Sequence, residues 1–268
     1  MKKKTCSAEH RRFLRRRNRS TALVRVTQIA LLLLLLGLWQ LLADLGVIDV
    51  FITSSPLRVW QTFVSLGGGD LWRHAWTTLY ETVIGFLLSF VIGTTIAVLL
   101  WFSDTVRRVV EPYLVVLNAL PKIALGPIII IWVGAGVKAI VTMAVLISVV
   151  ITTINTLTGF VSVSQEKLLL MRTLHANKWQ ILCKLVFPAN LPTVMSCLKV
   201  SVGMSWVGTI MGEYLVSKAG LGYLIVYGGQ VFNLSLVMCA TVLLCLLAAL
   251  MYLSVALLEK MVNRLIGQ

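Results

Sequence analysis

The chain contains 268 residues, of which 58% are hydrophobic and only 13% are charged. Soluble domains carry about 25% charged residues, so this balance excludes an ordinary soluble protein and predicts a polytopic membrane protein. The formal net charge of +14 would suggest nucleic acid as the partner of a soluble chain, but here the basic residues lie in tails and loops between apolar segments, which excludes that class.

Hydropathy divides the chain into a tail, a first helix, a loop and a core. Residues 1–25 are predicted as a basic cytoplasmic tail. A bilayer-crossing helix needs ~20 apolar residues, so 26–45 is predicted as the first transmembrane helix, retained because no A-x-A cleavage site follows it. Residues 46–78 are predicted as an extracytoplasmic loop in which Pro56 begins a short amphipathic helix that ends near Phe63.

Residues 79–258 are predicted as the core, with five more transmembrane helices, and residues 259–268 as a cytoplasmic C-terminus. The predicted spans of the core cover residues 79–102, 113–133, 139–160, 191–213 and 234–258. Asn118, Pro121, Lys122 and Pro127 interrupt the second of these spans, which therefore contains either a structural kink or an opening beside the solute path.

The distribution of Lys and Arg predicts the orientation, since cytoplasmic loops hold the excess of positive charge. With an internal N-terminus, eighteen of the 24 basic residues fall on the cytoplasmic side and four fall outside. Both termini and the polar loop at 162–189 are then cytoplasmic.

The loop at 162–189 alternates apolar and basic residues at helical spacing. Met171, Leu174, Leu182 and Leu185 form the apolar positions, and this pattern predicts one or two short amphipathic helices at the membrane surface. The loop is either a simple interfacial anchor or a helix that fits the groove of a partner protein.

Several stretches of the chain resemble importer permeases of the ABC transporter class. Arg172, Thr173, Leu174, Ala176, Trp179 and Pro188 match the cytoplasmic signature "EAARTLGASRWQ…LPAALP" of the nitrate/sulfonate/taurine branch, although Leu169–Met171 replaces E-A-A and His175 replaces the glycine of the turn. "LPKIALGPIIIIWVGAG", "GMSWVGTIMGEYLVSKAGLGYLI" and "FITSSPLRVW" resemble further family segments. The resemblance implies the type I importer permease fold with six transmembrane helices.

The resemblance also implies partners and an energy source outside this chain. No G-x-x-x-x-G-K-[ST] phosphate loop occurs in the sequence, so ATP and Mg²⁺ belong to a separate ATPase, and this chain is expected to hold no cofactor and no metal and to be no enzyme. The implied assembly in the bacterial inner membrane is a homodimer of this chain with two cytosolic ATP-binding subunits and an extracytoplasmic solute-binding protein. The implied solute is a small anion (nitrate, sulfonate, taurine or bicarbonate), or alternatively a vitamin or precursor such as a pyrimidine or riboflavin.

Three groups of residues are candidates for these functions. The predicted ATPase-coupling residues are Met171, Arg172, Thr173, Leu174, His175, Ala176, Asn177, Trp179 and Pro188. The predicted residues of the translocation path or gate, chosen because polar and helix-breaking residues are costly against lipid, are Asn118, Pro121, Asn155, Ser205, Trp206 and Glu213. The predicted contacts with the binding protein are Lys218, Gly220, Gly222 and Tyr223.

Each candidate path residue also has a purely structural interpretation. Ser205 belongs to a small-residue stripe with Gly203, Gly208 and Gly212, which we expect at the subunit interface. Trp206 either narrows the pore or packs in the core, and Glu213 is either an outer-gate contact or a plain surface carboxylate.

Two other functional classes are less consistent with the sequence. An intramembrane enzyme needs a nucleophile and base or a metal site at membrane depth, and none of the three His residues lies in a predicted span. A standalone carrier usually has broken helices in both repeated halves, whereas this chain has one broken region.

Overall fold

The computed structural model describes residues 8–67 and 69–265, and the regular structure in those residues is helical. The chain forms two compact units, residues 1–62 and 63–268. The first unit contains α1 (Ala8–Asp44), α2 (Val50–Thr53) and the start of α3 (Pro56–Leu66). The main helices of the second unit are α4 (Asp70–Trp101), α5 (Asp104–Ala119), α6 (Gly126–Val133), α7 (Val137–Val161), α8 (Gln165–Thr173), α9 (Lys178–Ile181), α10 (Phe187–Ala189), α11 (Leu191–Val216), α12 (Leu221–Gln230) and α13 (Leu234–Leu265).

Side-chain caps order the connection inside the first unit. Asp49 caps α2 by accepting a 2.8 Å hydrogen bond from the N–H of Phe51. Gln40 near the end of α1 donates to Asp44 at 2.8 Å and accepts from the N–H of Leu57 at 3.1 Å. These contacts satisfy backbone groups that helix ends leave free. The predicted helix that begins at Pro56 is thus present, and the part of the predicted basic tail at 1–7 lies outside the described residues.

Five helices of the described chain are long and apolar enough to cross a membrane. They cover Val26–Asp44, Asp70–Trp101, Val137–Val161, Leu191–Val216 and Leu234–Arg264. A sixth crossing results if α5 and the following segment Lys122–Val133, which meet at 85°, form one broken span. The predicted six-helix membrane architecture agrees with this arrangement.

The bend between α5 and α6 has a local covalent cause. Leu120, which precedes Pro121, takes an extended conformation with ψ 138°, as the proline ring requires of its neighbour. A short 3₁₀ turn, Lys122–Leu125, then leads into α6, where Pro127 occupies the first turn. The predicted interruption of this span is therefore a sharp corner and not a gentle kink.

Several helices extend beyond their predicted ends. α4 begins at Asp70, nine residues before the predicted start of its span, and α13 runs to Leu265 rather than 258. Residues 104–112, which lie between two predicted spans, form the first part of α5, because Ser103 caps it and Arg107 pairs with Asp104 at 3.0 Å. Hydropathy measures the apolar part of a helix only, so it misses polar turns that caps and charge pairs stabilise. Residues 266–268 of the predicted C-terminus lie outside the described residues.

The core of the second unit is a three-helix body in which α7 packs along both α4 and α11. α13 and α12 pack against each other and against α11. One end of this body, called the α8 end below, holds the end of α4, the end of α7 and the start of α11. The opposite end, called the α12 end, holds the start of α4 and the end of α11.

Glycines set the distance between α11 and α7. A Cβ on Gly208 would lie 3.0 Å from the backbone nitrogen of Ala144 and closer still to its Cα, and one on Gly212 would lie 2.8 Å from the Cα of Ile140. Gly203 by contrast has no neighbour within 4 Å. The expectation that this stripe forms a subunit interface is therefore corrected: Gly208 and Gly212 are used for helix packing within one chain.

Hydroxyl groups join the same helices in the apolar interior. The Thr152 and Ser201 hydroxyls lie 2.6 Å apart, and Ser205 donates to Ser148 at 3.3 Å. All four residues are fully buried. Because Ser205 is enclosed by its own chain, it does not line an open path in this structure, contrary to its predicted placement.

The glycine contacts give a first test. We expect Gly208→Ala to lower the stability of the folded protein by about 1–3 kcal/mol, since the new Cβ meets backbone atoms of α7 that side-chain rotation cannot clear. Gly203→Ala is the matched control, and its added helix propensity should leave stability equal or slightly higher. Thermal unfolding of the two purified variants measures the difference, and equal midpoints would contradict the packing described here.

Candidate functional site

A tight turn joins α8 to α9 within the segment 162–189. His175 has φ +56°, its N–H donates to the Arg172 carbonyl at 2.9 Å, and the Ala176 N–H donates to the Met171 carbonyl at 3.1 Å. This pair of bonds is the Schellman arrangement, in which a left-handed residue ends a helix. His175 thus occupies the position that glycine normally takes, at a conformational cost of about 1 kcal/mol.

The next helix begins immediately after this turn. Asn177 accepts from the N–H of Gln180 at 2.8 Å, and the Gln180 side chain accepts from the N–H of Asn177 at 2.9 Å. This reciprocal capping box satisfies two donors at the start of α9. The turn therefore has one defined geometry, fixed by backbone bonds on one side and side-chain caps on the other.

Aromatic and hydrogen-bond contacts attach the segment to the end of α4. The Trp179 ring stacks on Phe102 with centroids 5.9 Å apart and planes inclined by 17°. Lys178 donates to the Phe102 carbonyl at 2.9 Å. Ile181 and Val186 are buried in the core at the α8 end of the bundle. A displacement of the segment would consequently move α4 and α7 with it.

The same segment also exposes large apolar side chains. Leu169, Leu170, Leu174 and Trp179 are each exposed by 59–69%, and we call these four residues the docking face. Leu174 was predicted to share an apolar face with Leu182, but Leu182 is buried and Leu174 is not. The correction follows from the turn at His175, which separates the two helices into different directions.

The nine predicted coupling residues divide into two groups. Met171 and Ala176 are partly buried and pack on the core. The remaining seven are exposed: Arg172, Thr173, Leu174, His175, Asn177, Trp179 and Pro188. Leu169 and Leu170, which sequence reasoning treated only as departures from a motif, belong to the exposed group, and two adjacent leucines in a polar loop were the available signal.

A cavity of about 290 Å³ lies between this segment and the corner that joins α4 to α5. Its charged lining residues are Asp104, Arg107, Arg172 and Lys178. Three positive groups and one negative group give the cavity a basic character, which suits an acidic group of a partner.

The α12 end contains a second cluster, which caps the start of α12. Glu213, which is 1% exposed, accepts from the N–H of Gly222 at 2.5 Å. Thr78 of α4 accepts from the N–H of Leu221 at 2.7 Å, and His74 Nδ1 accepts from the N–H of Gly220 at 2.8 Å. Three successive backbone donors that a helix start leaves free are therefore satisfied by side chains of α4 and α11.

This capping changes the interpretation of the residues predicted to contact a binding protein. Gly220 and Gly222 are buried, and a Cβ on Gly222 would lie 2.7 Å from a carboxyl oxygen of Glu213. Their predicted contact role is therefore corrected, since they make room for Glu213 and present no surface. Lys218 is exposed, and Tyr223 is half-buried with its ring stacked on His74.

The structure does not bring the predicted path residues together. Asn118 and Pro121 are exposed beside the bend, where Lys122 donates to Asn118 at 3.4 Å. Asn155 is half-buried and lines a groove of about 350 Å³ between α7 and α11. Glu213 is buried in the helix cap. Three of the six predicted residues are therefore enclosed, Asn155 lines the groove between α7 and α11, and Asn118 and Pro121 are exposed beside the bend.

Trp206 is enclosed by apolar side chains of its own chain. It is 4% exposed and packs with Phe86, Val202 and Val255 from α4, α11 and α13. This position corresponds to the packing alternative and not to a constriction open to solvent in a single chain.

A largely apolar cavity of about 270 Å³ lies next to the bend. Lys122 is the charged residue of its lining, which otherwise consists of aliphatic side chains and Thr153. Asn155, a predicted path residue, does not line this cavity. A positive group beside an apolar surface can attract an anion whose remaining part is apolar.

Comparisons with known proteins agree with this architecture. Residues 85–268 match the family model described as "Binding-protein-dependent transport system inner membrane component". The chain is 32% identical to the riboflavin transport system permease protein RibX of Chloroflexus aurantiacus, over 87% of both chains. It is 28% identical to the putative aliphatic sulfonates transport permease protein SsuC of Bacillus subtilis, over 73% of this chain and 71% of the relative.

Among solved structures, the fold is similar to that of one chain of the MetNI methionine ABC transporter in an inward-facing conformation. The TM-score is 0.64 at 21% identity, and the match covers 74% of this chain and 96% of that one. At this identity the likeness concerns the fold alone.

The turn at His175 gives a second test. We expect His175→Gly to raise the free energy of unfolding by about 1 kcal/mol, because glycine adopts the left-handed conformation without strain. His175→Ala removes the ring but keeps the strain, and should leave stability nearly unchanged. Thermal unfolding together with hydrogen exchange at residues 174–176 measures both. If the two variants behave alike, the ring and not the backbone conformation determines the stability of the turn.

Proposed function

Because the chain belongs to the family of binding-protein-dependent transport system inner membrane components, we propose that two copies of it form the solute path of an ATP-driven importer. The predicted family and the type I importer permease fold are confirmed, and the chain is a transport subunit rather than an enzyme. In the proposed assembly, two cytosolic ATP-binding subunits supply the energy and an extracytoplasmic binding protein delivers the solute.

The observation that carries this proposal is the docking face on a segment of defined geometry. Leu169, Leu170, Leu174 and Trp179 expose apolar surface, although apolar side chains normally avoid water. Such a surface suits a partner protein, and the basic cavity beside it suits an acidic group on the same partner. The ATPase is the partner that an importer subunit without a phosphate loop requires.

The three-helix body supports a mechanical role for this contact. α11 and α7 approach too closely at Gly208 and Gly212 to slide past one another, and α4 lies similarly close to α7 at Gly85 and Gly93. The three helices therefore move as a unit. The Trp179–Phe102 stack and the bond from Lys178 attach the docking face to α4. ATP-driven closure of the ATPase pair would push the segment, tilt this body and switch the path from inward-facing to outward-facing.

The proposed location is the bacterial inner membrane, with both termini and the docking face in the cytoplasm. This orientation follows from the excess of Lys and Arg at the α8 end. The α12 end then faces outward, where Lys218 and Tyr223 are the accessible residues of the segment that was predicted to meet the binding protein. Membrane lipid surrounds the remaining apolar surface.

We expect Leu174→Asp to weaken the association with the ATPase about tenfold, because it places a charge on the docking face without disturbing the buried side. Val106→Asp, an exposed apolar position on α5 at the same end, is the control and should bind normally. Co-purification of the ATPase from membranes and nucleotide-dependent uptake measure the effect. Unchanged uptake by Leu174→Asp, or uptake without nucleotide, would favour a standalone carrier.

We further propose a small anion as the solute, such as nitrate, a sulfonate, taurine or bicarbonate. Lys122 beside the cavity at the bend supports an anion, and the similarity to a sulfonate permease favours the same class. The greater similarity to a riboflavin permease supports the alternative, a vitamin or its precursor. A permease shares its substrate specificity with the binding protein that delivers the solute, so both components need to be tested.

The charge of Lys122 distinguishes these solutes. We expect Lys122→Gln to reduce uptake of an anion about tenfold, a loss typical of removing one charged contact, while Lys122→Arg retains most of it. The solute is first identified as the compound that raises the melting temperature of the binding protein encoded beside this chain. If riboflavin or a pyrimidine raises that temperature and anions do not, the anion proposal fails while the permease assignment stands.

A further inference from the structure

Two buried acids face each other at the α12 end of the bundle. Glu81 of α4 and Glu213 of α11 are each 1% exposed, and their carboxyl groups lie within hydrogen-bond reach of one another. Burial of two carboxylates in contact is strongly unfavourable unless positive charge compensates them. The surroundings of the pair show which charge that is.

The two carboxyl groups differ in their hydrogen-bond partners. Glu213 accepts from the N–H group of Gly222 at 2.5 Å. In the described part of the chain, no backbone N–H and no other side chain donates a hydrogen bond to Glu81 Oε2 or Glu213 Oε1. Since an ionised carboxylate only accepts hydrogen bonds, a bond between these two acids requires a proton on one of them.

The helices that meet at this end carry several other titratable or charged residues. They are Asp70, Arg73, His74 and Tyr80 on α4, Lys138 on α7, Tyr214 on α11, Lys218 before α12 and Tyr223 on α12. None of these forms an ion pair with Glu81 or Glu213 in the described residues. His74 accepts a hydrogen bond at Nδ1, so this nitrogen carries no proton.

The site also leaves little room for a metal ion. The positions that a Cβ would occupy at Gly220 and Gly222 already lie 2.5–2.7 Å from the Glu213 carboxyl oxygens. The backbone thus closes over the carboxyl group as tightly as two glycines allow. A proton shared between the two acids fits this space.

We propose that Glu81 and Glu213 form a binding site for one proton, with Glu81 protonated and Glu213 ionised. Glu213 is the ionised partner because the N–H of Gly222 and the positive start of α12 stabilise its charge. The proton joins α4 to the cap of α12, and its loss places two negative charges in contact and separates these helices. This site does not depend on the identity of the solute or of the ATPase.

The test compares the full-length wild type with Glu81→Gln, whose amide donates to Glu213 as the protonated acid does. The folded wild type holds a proton that the unfolded chain releases near neutral pH, so its stability falls as pH rises. We expect the folding equilibrium constant of the wild type to lose up to about tenfold per pH unit relative to Glu81→Gln. Glu166→Gln, at an exposed acid on α8, is the control and should follow the wild type.

Infrared difference spectroscopy gives an independent readout on the wild type alone. We expect a deuterium-sensitive carboxylic-acid band near neutral pH that vanishes at alkaline pH and is absent from Glu81→Gln. Parallel pH dependences of stability in the wild type and Glu81→Gln, or no such band in the wild type, would overturn the proposal. A melting temperature that rises with sodium concentration at fixed pH would equally overturn it, because the site would then hold a cation other than a proton.

Discussion

The close approach of α11 to α7 is the constraint on which the rest of this structure depends. At Gly208 and Gly212 the two backbones lie nearer than any side chain permits, and in a membrane such van der Waals contact is a principal source of helix association. The buried hydroxyl pairs between Thr152 and Ser201 and between Ser148 and Ser205 lie along the same contact. Together they determine the spacing and the register of the central helices.

Both candidate sites are attached to this central body at opposite ends. At the α8 end, Phe102 and the buried side chains Ile181 and Val186 hold the docking face. At the α12 end, Thr78 and Glu213 hold the start of α12. A rigid connection of this kind transmits a displacement from one end to the other by rigid-body motion of the helices, without a chain of side-chain rearrangements between the two sites.

Hydropathy and local chemistry predicted those parts of the molecule that depend on neighbours in sequence. The spans and the corner at Pro121 follow from a few consecutive residues, and the special backbone position at His175 was implied by the family resemblance of its segment. Contacts between distant segments were not accessible in this way. Gly203 and Gly208 belong to the same small-residue stripe, yet only Gly208 contacts the backbone of another helix. Likewise, no residue near Glu213 in the sequence indicates that Glu81 lies against it.

Side-chain burial was the other quantity that the pattern could not supply. Trp206 and Ser205 are polar or aromatic residues within a span, which favours a path, but α4 and α13 enclose the first and α7 encloses the second. Leu169 and Leu170 are apolar residues in a loop, which favours burial, but they are exposed. In each case the outcome depends on how neighbouring helices cross.

The cap on α12 has a consequence for biosynthesis. Its donors at residues 220–222 are satisfied by His74, Thr78 and Glu213. Two of these acceptors are synthesised 146 and 143 residues before their donors, so the helix start cannot be completed unless they remain accessible until then. His74 and Thr78 near the start of α4 therefore have no α12 partner until the helices between α4 and α12 have been synthesised. Insertion of this chain is in that sense not strictly sequential, since the α12 end is completed only after α12 itself has been made.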